Sequence, residues 1–243
     1  MISVRYQGRL GNNLFQYCFG RILSEETGLA LSAGQIPDFY NTKKIDGKKV
    51  TGEPKILSGH EVDLEDIIKN YNNSPIHLNG YYFRYEYYKP YKKQIKEDWL
   101  AMSNKVRVEN TKDAVVHIRR GDFVSHGYTL TADSYHRMIN SLDFEDLYIV
   151  TDDPSDSFIK NFDVYNPKII SSSQSSDFMF LMSFDKIIIS QSTFSWWAAY
   201  LSDASNIIAP RTKNGVWGSD TRPDVNLTVD DEIRYTYIDC EAE

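Results

Sequence analysis

Ala114-Val115-Val116-His117-Ile118-Arg119-Arg120-Gly121-Asp122 runs from a β-prone apolar stretch straight into cationic, imidazole and carboxylate side chains. A short Val- and Ile-rich run reads as a strand buried on both faces. Such strands build α/β sheets, whose chemistry collects just past their carboxyl ends. The stretch therefore sets the fold class as α/β and marks the centre of an anion site. Successive side chains of an extended chain alternate faces. His117 and Arg119 then share one face, and Arg120 and Asp122 the other, for as long as the extended geometry persists. Arg119 is assigned to an anion, and Arg120 to acidic or backbone partners that hold the loop. A solvated strand edge is the competing reading, and a His-x-Arg-Arg cluster directly after a buried-type strand fits it less well.

Outward from this centre, strand and helix patterns alternate. Before it, Ile2–Tyr6 reads as a strand and Gly8-Arg9-Leu10-Gly11-Asn12-Asn13 as a loop. A helix follows through Leu14, Phe15, Cys18, Phe19, Ile22 and Leu23, with Gly28 as its stop. Gly11 and Asn12 sit where small residues let backbone approach a ligand, although a plain α/β turn fits equally. The pattern is poor from Leu29 to Gly59. A short helix over Val62–Asn70 and a strand at Ile76–Leu78 come next, with His77 read as a hydrogen-bonded structural histidine. The aromatic run Gly80–Tyr88 fits an acceptor channel, with Arg84 or Glu86 reaching a ligand, and it fits simple packing equally well. Tyr91–Met102 reads as helical and polar Ser103–Asp113 as a linker, which divides the chain into domains 1–105 and 106–243.

After the centre, Phe123–Leu130 reads as a loop whose His126 and Gly127 adjoin the ligand, and Thr131 or Asp133 caps a helix. Leu147–Val150 is a strand ending at Asp152, a carboxylate suited to a ribose or to orienting a basic side chain; a solvated Asp-Pro turn is the alternative. Lys168–Ile170 and Ile187–Ile189 are further strands. Asp177 opens a helical pattern after a serine run. Ser192 and Thr193 stand at a strand-to-helix turn, where hydroxyls serve as phosphate ligands, as helix caps, or as both. Trp196 and Trp197 read as core or wall residues, Ile207–Pro210 as the last strand and Leu227–Tyr237 as a terminal helix.

With 243 residues the chain can bury a substantial core, and its net charge of −7 argues against a broad nucleic-acid surface. The two cysteines, Cys18 and Cys240, lie near opposite ends without ligand or redox spacing. No apolar stretch approaches the roughly 20 residues that span a bilayer. The expectation is a cytoplasmic protein, and attachment at the inner membrane face is compatible with it. No Asp-x-Asp metal arm is evident, because Asp152 and Asp153 are adjacent.

Gly8-Arg-Leu-Gly-Asn-Asn-Leu-Phe-Gln-Tyr17, His117-Ile-Arg-Arg-Gly-Asp122, Ser192-Thr-Phe-Ser-Trp-Trp-Ala-Ala-Tyr-Leu201 and Asn206-Ile-Ile-Ala-Pro210 occur in this order. Together they resemble the bacterial alpha-1,2-fucosyltransferases of glycosyltransferase family 11. The resemblance implies a GT-B-like pair of α/β domains facing a cleft, with GDP-β-L-fucose held mainly by the carboxyl-terminal domain and a β-galactoside-containing oligosaccharide or glycolipid as acceptor. It implies a catalytic set of Arg119 on the diphosphate, His117 near the phosphates or ribose, and Asp122 orienting the arginine loop. Donor contacts are implied at Asp177 on the guanine edge and at Ser192, Thr193 and Phe194 by the phosphate, with Asn12 facing the donor. No metal and no cofactor beyond the donor substrate are implied. Other linkages, other GDP-sugars and a non-catalytic carbohydrate- or nucleotide-binding role are the alternatives.

Overall fold

The computed structural model describes residues 1–71, 74–102, 106–213 and 222–243. The chain divides into two compact α/β units, one made of Met1–Lys105 with Pro223–Leu227 and the other of Val106–Arg222 with Thr228–Glu243. The short return to the first unit is set by backbone pairing. Asn226 N donates to Phe83 O at 2.8 Å and Tyr85 N donates to Asn226 O at 2.6 Å. Sequence alone places all of 106–243 in one domain, since nothing local in Pro223–Leu227 reveals a partner at 83–85.

The first unit contains β1 (Ile2–Val4), α1 (Leu10–Thr27), β2 (Leu31–Ser32), β3 (Lys55–Gly59), α2 (Leu64–Lys69) and β4 (Ile76–Gly80). Its parallel sheet has the order β2-β1-β4-β3. The apolar stripe of α1, Leu14 to Leu23, is fully buried, as its spacing requires. The helix starts at Leu10, so Gly11 and Asn12 lie in its first turn and not in a preceding loop. Strand β4 alternates Ile76, Leu78 and Gly80 inward with His77 and Asn79 outward. His77 is thus exposed, and the structural role expected for it is corrected by the strand's period of two. Beyond β4 the helical region is broken into α3 (Tyr85–Tyr88), a 3₁₀ turn, α4 (Lys92–Gln94) and a π-helical turn over Ile95–Trp99. Arg84 pairs with Glu86 at 2.8 Å and Glu61 at 3.1 Å, and donates to Pro223 O, which favours packing over a ligand channel here.

The second unit contains β5 (Asn110–Ile118), α5 (Gly121–His126), α6 (Ala132–Ile139), β6 (Leu147–Thr151), a 3₁₀ stretch (Ser157–Tyr165), β7 (Lys168–Ile170), α7 (Gln174–Met182), β8 (Phe184–Ile188), α8 (Thr193–Leu201), β9 (Asn206–Thr212) and β10 (Tyr235–Cys240). All six strands are parallel, in the order β10-β9-β8-β5-β6-β7. The apolar runs 114–118 and 187–188 are buried because helices cover both faces of such a sheet. Val116, Ile118, Ile149 and Ile188 pack with Met138, Ile139, Phe158 and Phe162 in one core.

Three sequence expectations change in this unit. The expected linker 103–113 begins outside the described residues, and from Asn110 its polar end is already strand. The expected loop Phe123–Leu130 is entered by helix α5, which ends at Gly127. The expected helix Leu227–Tyr237 gives way to β10, whose Tyr-Thr-Tyr-Ile sequence is strand-forming and pairs with the free side of β9 from Ile207 to Thr212.

Candidate functional site

The second sheet reverses direction of growth between β5 and β8. At such a switch point the crossover helices diverge to opposite faces and leave a crevice at the carboxyl ends of the two strands. The β5 end supplies His117, Arg119 and Arg120, and the β8 end supplies Ser190, Gln191 and Ser192. A hydrogen bond of 2.8 Å between His117 Nδ1 and Ser190 Oγ ties the two ends together. His117 is 3% exposed. Burial, with the Arg119 charge added, lowers its pKa to about 3, so the ring is neutral at physiological pH.

Arg119 stands one residue beyond the strand, flanked by two carboxylates. Its Nη1 meets Asp152 Oδ2 at 2.8 Å and its Nη2 bonds Asp122 Oδ1. The extended geometry ends at Ile118, and Gly121 turns the chain at φ 35° into α5. Asp122 therefore comes back to Arg119, not to the Arg120 face expected from strand alternation. Asp152, at the tip of β6, also accepts the Arg120 backbone N–H at 2.8 Å through Oδ1. One carboxylate thus orients both the guanidinium and the turn that carries it. A side chain at position 121 would collide with Asp152 Oδ2, so glycine is required there both by conformation and by close approach.

Arg120 points away from Arg119 and is buried. Its guanidinium lies 4.0 Å from the Phe158 ring centroid, bonds Asp156 Oδ2 at 2.7 Å through Nε, and bonds Glu243 Oε2 at 2.8 Å through Nη1. The hydrogen bond from Arg120 holds the Asp156 carboxyl below the usual carboxylate range. This is the supporting role expected for Arg120, with partners that sequence reasoning did not name. Asp156 carries a faint signal as the cap of the following 3₁₀ stretch, where it accepts Phe158 N–H at 2.9 Å. Glu243 carries none.

Ser192 caps α8, accepting from Phe194 N at 3.3 Å, and Thr193 opens the helix. Phe194 packs between His117, at 5.3 Å between centroids, and Phe178, also at 5.3 Å. Asp177, the neighbour of Phe178 in the first turn of α7, is buried, and both its oxygens accept the Ser172 N–H, at 3.0 and 3.2 Å. Desolvation raises its pKa and the Ser172 bond works against that rise. His117, Arg119, Asp122, Asp152, Ser192, Thr193 and Phe194 thus belong to one strand-end region, and Asp177 joins it through Phe178. Gly11 and Asn12 belong to the first unit, where the Asn12 side chain lies against Gly8, itself at φ 76°. Among the described residues no group of three or more His, Cys, Asp or Glu side chains is arranged to hold a metal ion. Among them also, no helix is long and apolar enough to cross a membrane.

The sequence model of glycosyl transferase family 11 matches residues 53–215, which contain this region. The chain belongs to that family. Two parallel-sheet α/β units in one chain accord with the GT-B-like class of family 11. The chain is also similar to the O-antigen biosynthesis glycosyltransferase WbnK of Escherichia coli, at 32% identity over 140 residues, 49% of this chain. The matched part is 46% of that protein, so the chain spans about half the length of the curated relative it matches.

Proposed function

We propose that this family 11 protein is a fucosyltransferase that moves L-fucose from GDP-β-L-fucose to the 2-hydroxyl of a β-galactosyl unit, with inversion to an α-linkage. The observation that carries the reading is Arg119, held by Asp152 and Asp122 at the switch point of a parallel sheet. Attack by the acceptor hydroxyl forms the new C1–O bond as the bond from C1 to the diphosphate oxygen breaks. The electron pair leaves with GDP and the hydroxyl proton passes to solvent or a base. Negative charge grows on the departing diphosphate, and a preorganised guanidinium beside helix-start amides stabilises it there. On this reading Arg119, His117 and Asp122 form the catalytic set, with Asp122 holding the arginine before the donor arrives. Gly11, Asn12, Asp152, Asp177, Ser192, Thr193 and Phe194 form the donor-binding set. Neutral His117 offers Nε2 to a phosphate or ribose hydroxyl while Ser190 fixes its Nδ1.

The reaction needs no divalent metal and no cofactor besides the donor. The acceptor is a β-galactoside-containing oligosaccharide or glycolipid of the kind used in O-antigen polysaccharide assembly, met in the cytoplasm or at the inner membrane face. The test is product formation from GDP-fucose and a panel of β-galactosides, with and without chelator, followed by linkage analysis of the product. A 2-linked α-fucoside made equally well in chelator supports the proposal, and folded Arg119→Ala protein should then lose on the order of 10²-fold in kcat/KM. A different linkage or GDP-sugar would replace the finer assignment. Tight GDP binding without turnover on any acceptor would replace catalysis by a binding role.

A further inference from the structure

We propose that Glu243 is a positioning residue for glycosyl transfer, its carboxylate acting through Arg120 to fix the turn that presents Arg119. The inference rests on the reading of Arg119 as the diphosphate contact. Residues 241–243 run as a strap against the segment that follows α5. Glu243 N donates to Thr129 O at 2.8 Å, Thr131 N donates to Glu241 O at 3.0 Å, and Leu130 bridges Ala242 in antiparallel sense. Glu241 N adds a bond of 2.8 Å to Ser134 Oγ in α6. The strap therefore anchors the far end of the 119–128 segment.

The near end is anchored by the Glu243 side chain. Its Oε2 accepts from Arg120 Nη1 at 2.8 Å and from Thr129 Oγ1 at 2.7 Å, so a single oxygen joins the residue before Gly121 to the residue after Tyr128. Arg120 is only 7% exposed, and a guanidinium that buried needs its charge matched and its fork filled. Asp156 fills one side, Glu243 the other, and Phe158 lies beneath. Without Glu243 the guanidinium is left half compensated and must turn toward solvent. Its backbone N–H is the group bound by Asp152 Oδ1, and Asp152 Oδ2 holds Arg119. A displacement of Arg120 is thus passed to Arg119 through one carboxylate. Because the Glu243 side chain is itself 35% exposed, the effect falls on alignment more than on stability.

The test uses the full chain with Glu243→Ala and the near-isosteric Glu243→Gln. Amide exchange followed by mass spectrometry should show peptides of 119–128 exchanging about tenfold faster in the Ala variant, with peptides of α8 unchanged. In the transfer assay E243Q should lower kcat about tenfold with the acceptor KM within twofold, since small misplacements of a charge-stabilising group act on the reaction step. In an Arg119→Lys background, where the fork is already lost, E243Q should add no further loss. Unchanged exchange in the Ala variant, or a full additional tenfold loss on top of R119K, overturns the proposal. Should the wild-type chain show no turnover of GDP-fucose or another GDP-sugar, the functional reading fails by itself, and the exchange result alone decides whether Glu243 fixes the turn.

Discussion

Replacing Gly121 with alanine tests the coupling between the arginine turn and Asp152. The new Cβ collides with Asp152 Oδ2, and that oxygen is not free to swing aside, because its carboxylate holds Arg119 Nη1 and the Arg120 N–H, each at 2.8 Å. Moving it forfeits a hydrogen bond to a charged acceptor, about 1.5–3 kcal/mol, and a partly buried ion pair, about 1 kcal/mol after screening. The φ of 35° adds about 1 kcal/mol of backbone strain for a residue with a Cβ. The expected cost is about 4 kcal/mol, large for one methyl group at an exposed position. In an Asp152→Ala background the collision is absent, and the same substitution should cost only the strain, about 1 kcal/mol. Urea unfolding of the four proteins, followed by tryptophan fluorescence, gives the cycle directly, with an expected coupling of about 3 kcal/mol. Additivity within about 0.5 kcal/mol would refute the reasoning, since the cost would then come from backbone conformation alone.

The buried His117, neutral in the folded chain, predicts a pH dependence of stability. Its folded pKa, about 3, lies below the unfolded value of 6.5, so the unfolded chain binds the extra proton. The contribution is complete above about pH 6.5 and is lost as pH falls toward 3, with a slope approaching about 1.4 kcal/mol per pH unit. His117→Asn should lack this component, and parallel stability curves for the two proteins from pH 7 to pH 4 would contradict the assignment. Asp177→Ala should lower the preference for GDP over other nucleoside diphosphates on the order of tenfold, the worth of one charged hydrogen bond. Calorimetric titration with the four nucleoside diphosphates reads this, and an unchanged order of affinities would remove Asp177 from the guanine edge.

What the sequence makes legible here is whatever a single segment carries. The run Ala114–Ile118 ends in charge because a buried strand must surface somewhere, and it surfaces at the candidate site. Ser190–Phe194 follows Ile187–Ile189 for the same reason at the neighbouring strand. Trp196 and Trp197 are buried on a mostly apolar helix, consistent with their reading as core or wall. Illegible features are those whose partners are distant. The terminal segment read as helical becomes β10 only because β9 leaves an open side 28 residues earlier, where Ile207 meets Tyr235. The strand alternation that put Asp122 on the Arg120 face fails because Gly121 turns the chain at a position where periodicity has no say.

The same division separates Arg119 and His117 of the candidate site from what holds them. Arg119 and His117 arrive together on one strand end, three residues of sequence in all. The carboxylates that fix the turn come from 32, 36 and 123 residues beyond Arg120, at Asp152, Asp156 and Glu243. A parallel sheet forces this arrangement, because neighbouring strand ends are separated in sequence by a whole crossover. Apart from Asp122, the groups that position the charge at this strand end are therefore drawn from other crossovers, where Asp152 shows at a strand tip, Asp156 only faintly as a cap and Glu243 not at all. In this chain two guanidiniums are held by Asp122 and three distant carboxylates, so the set keeps the arginines oriented and its formal charges do not sum to a positive one. An anion would accordingly be recognised by where the Arg119 fork points, and a shift of the turn should impair function before the fold gives way.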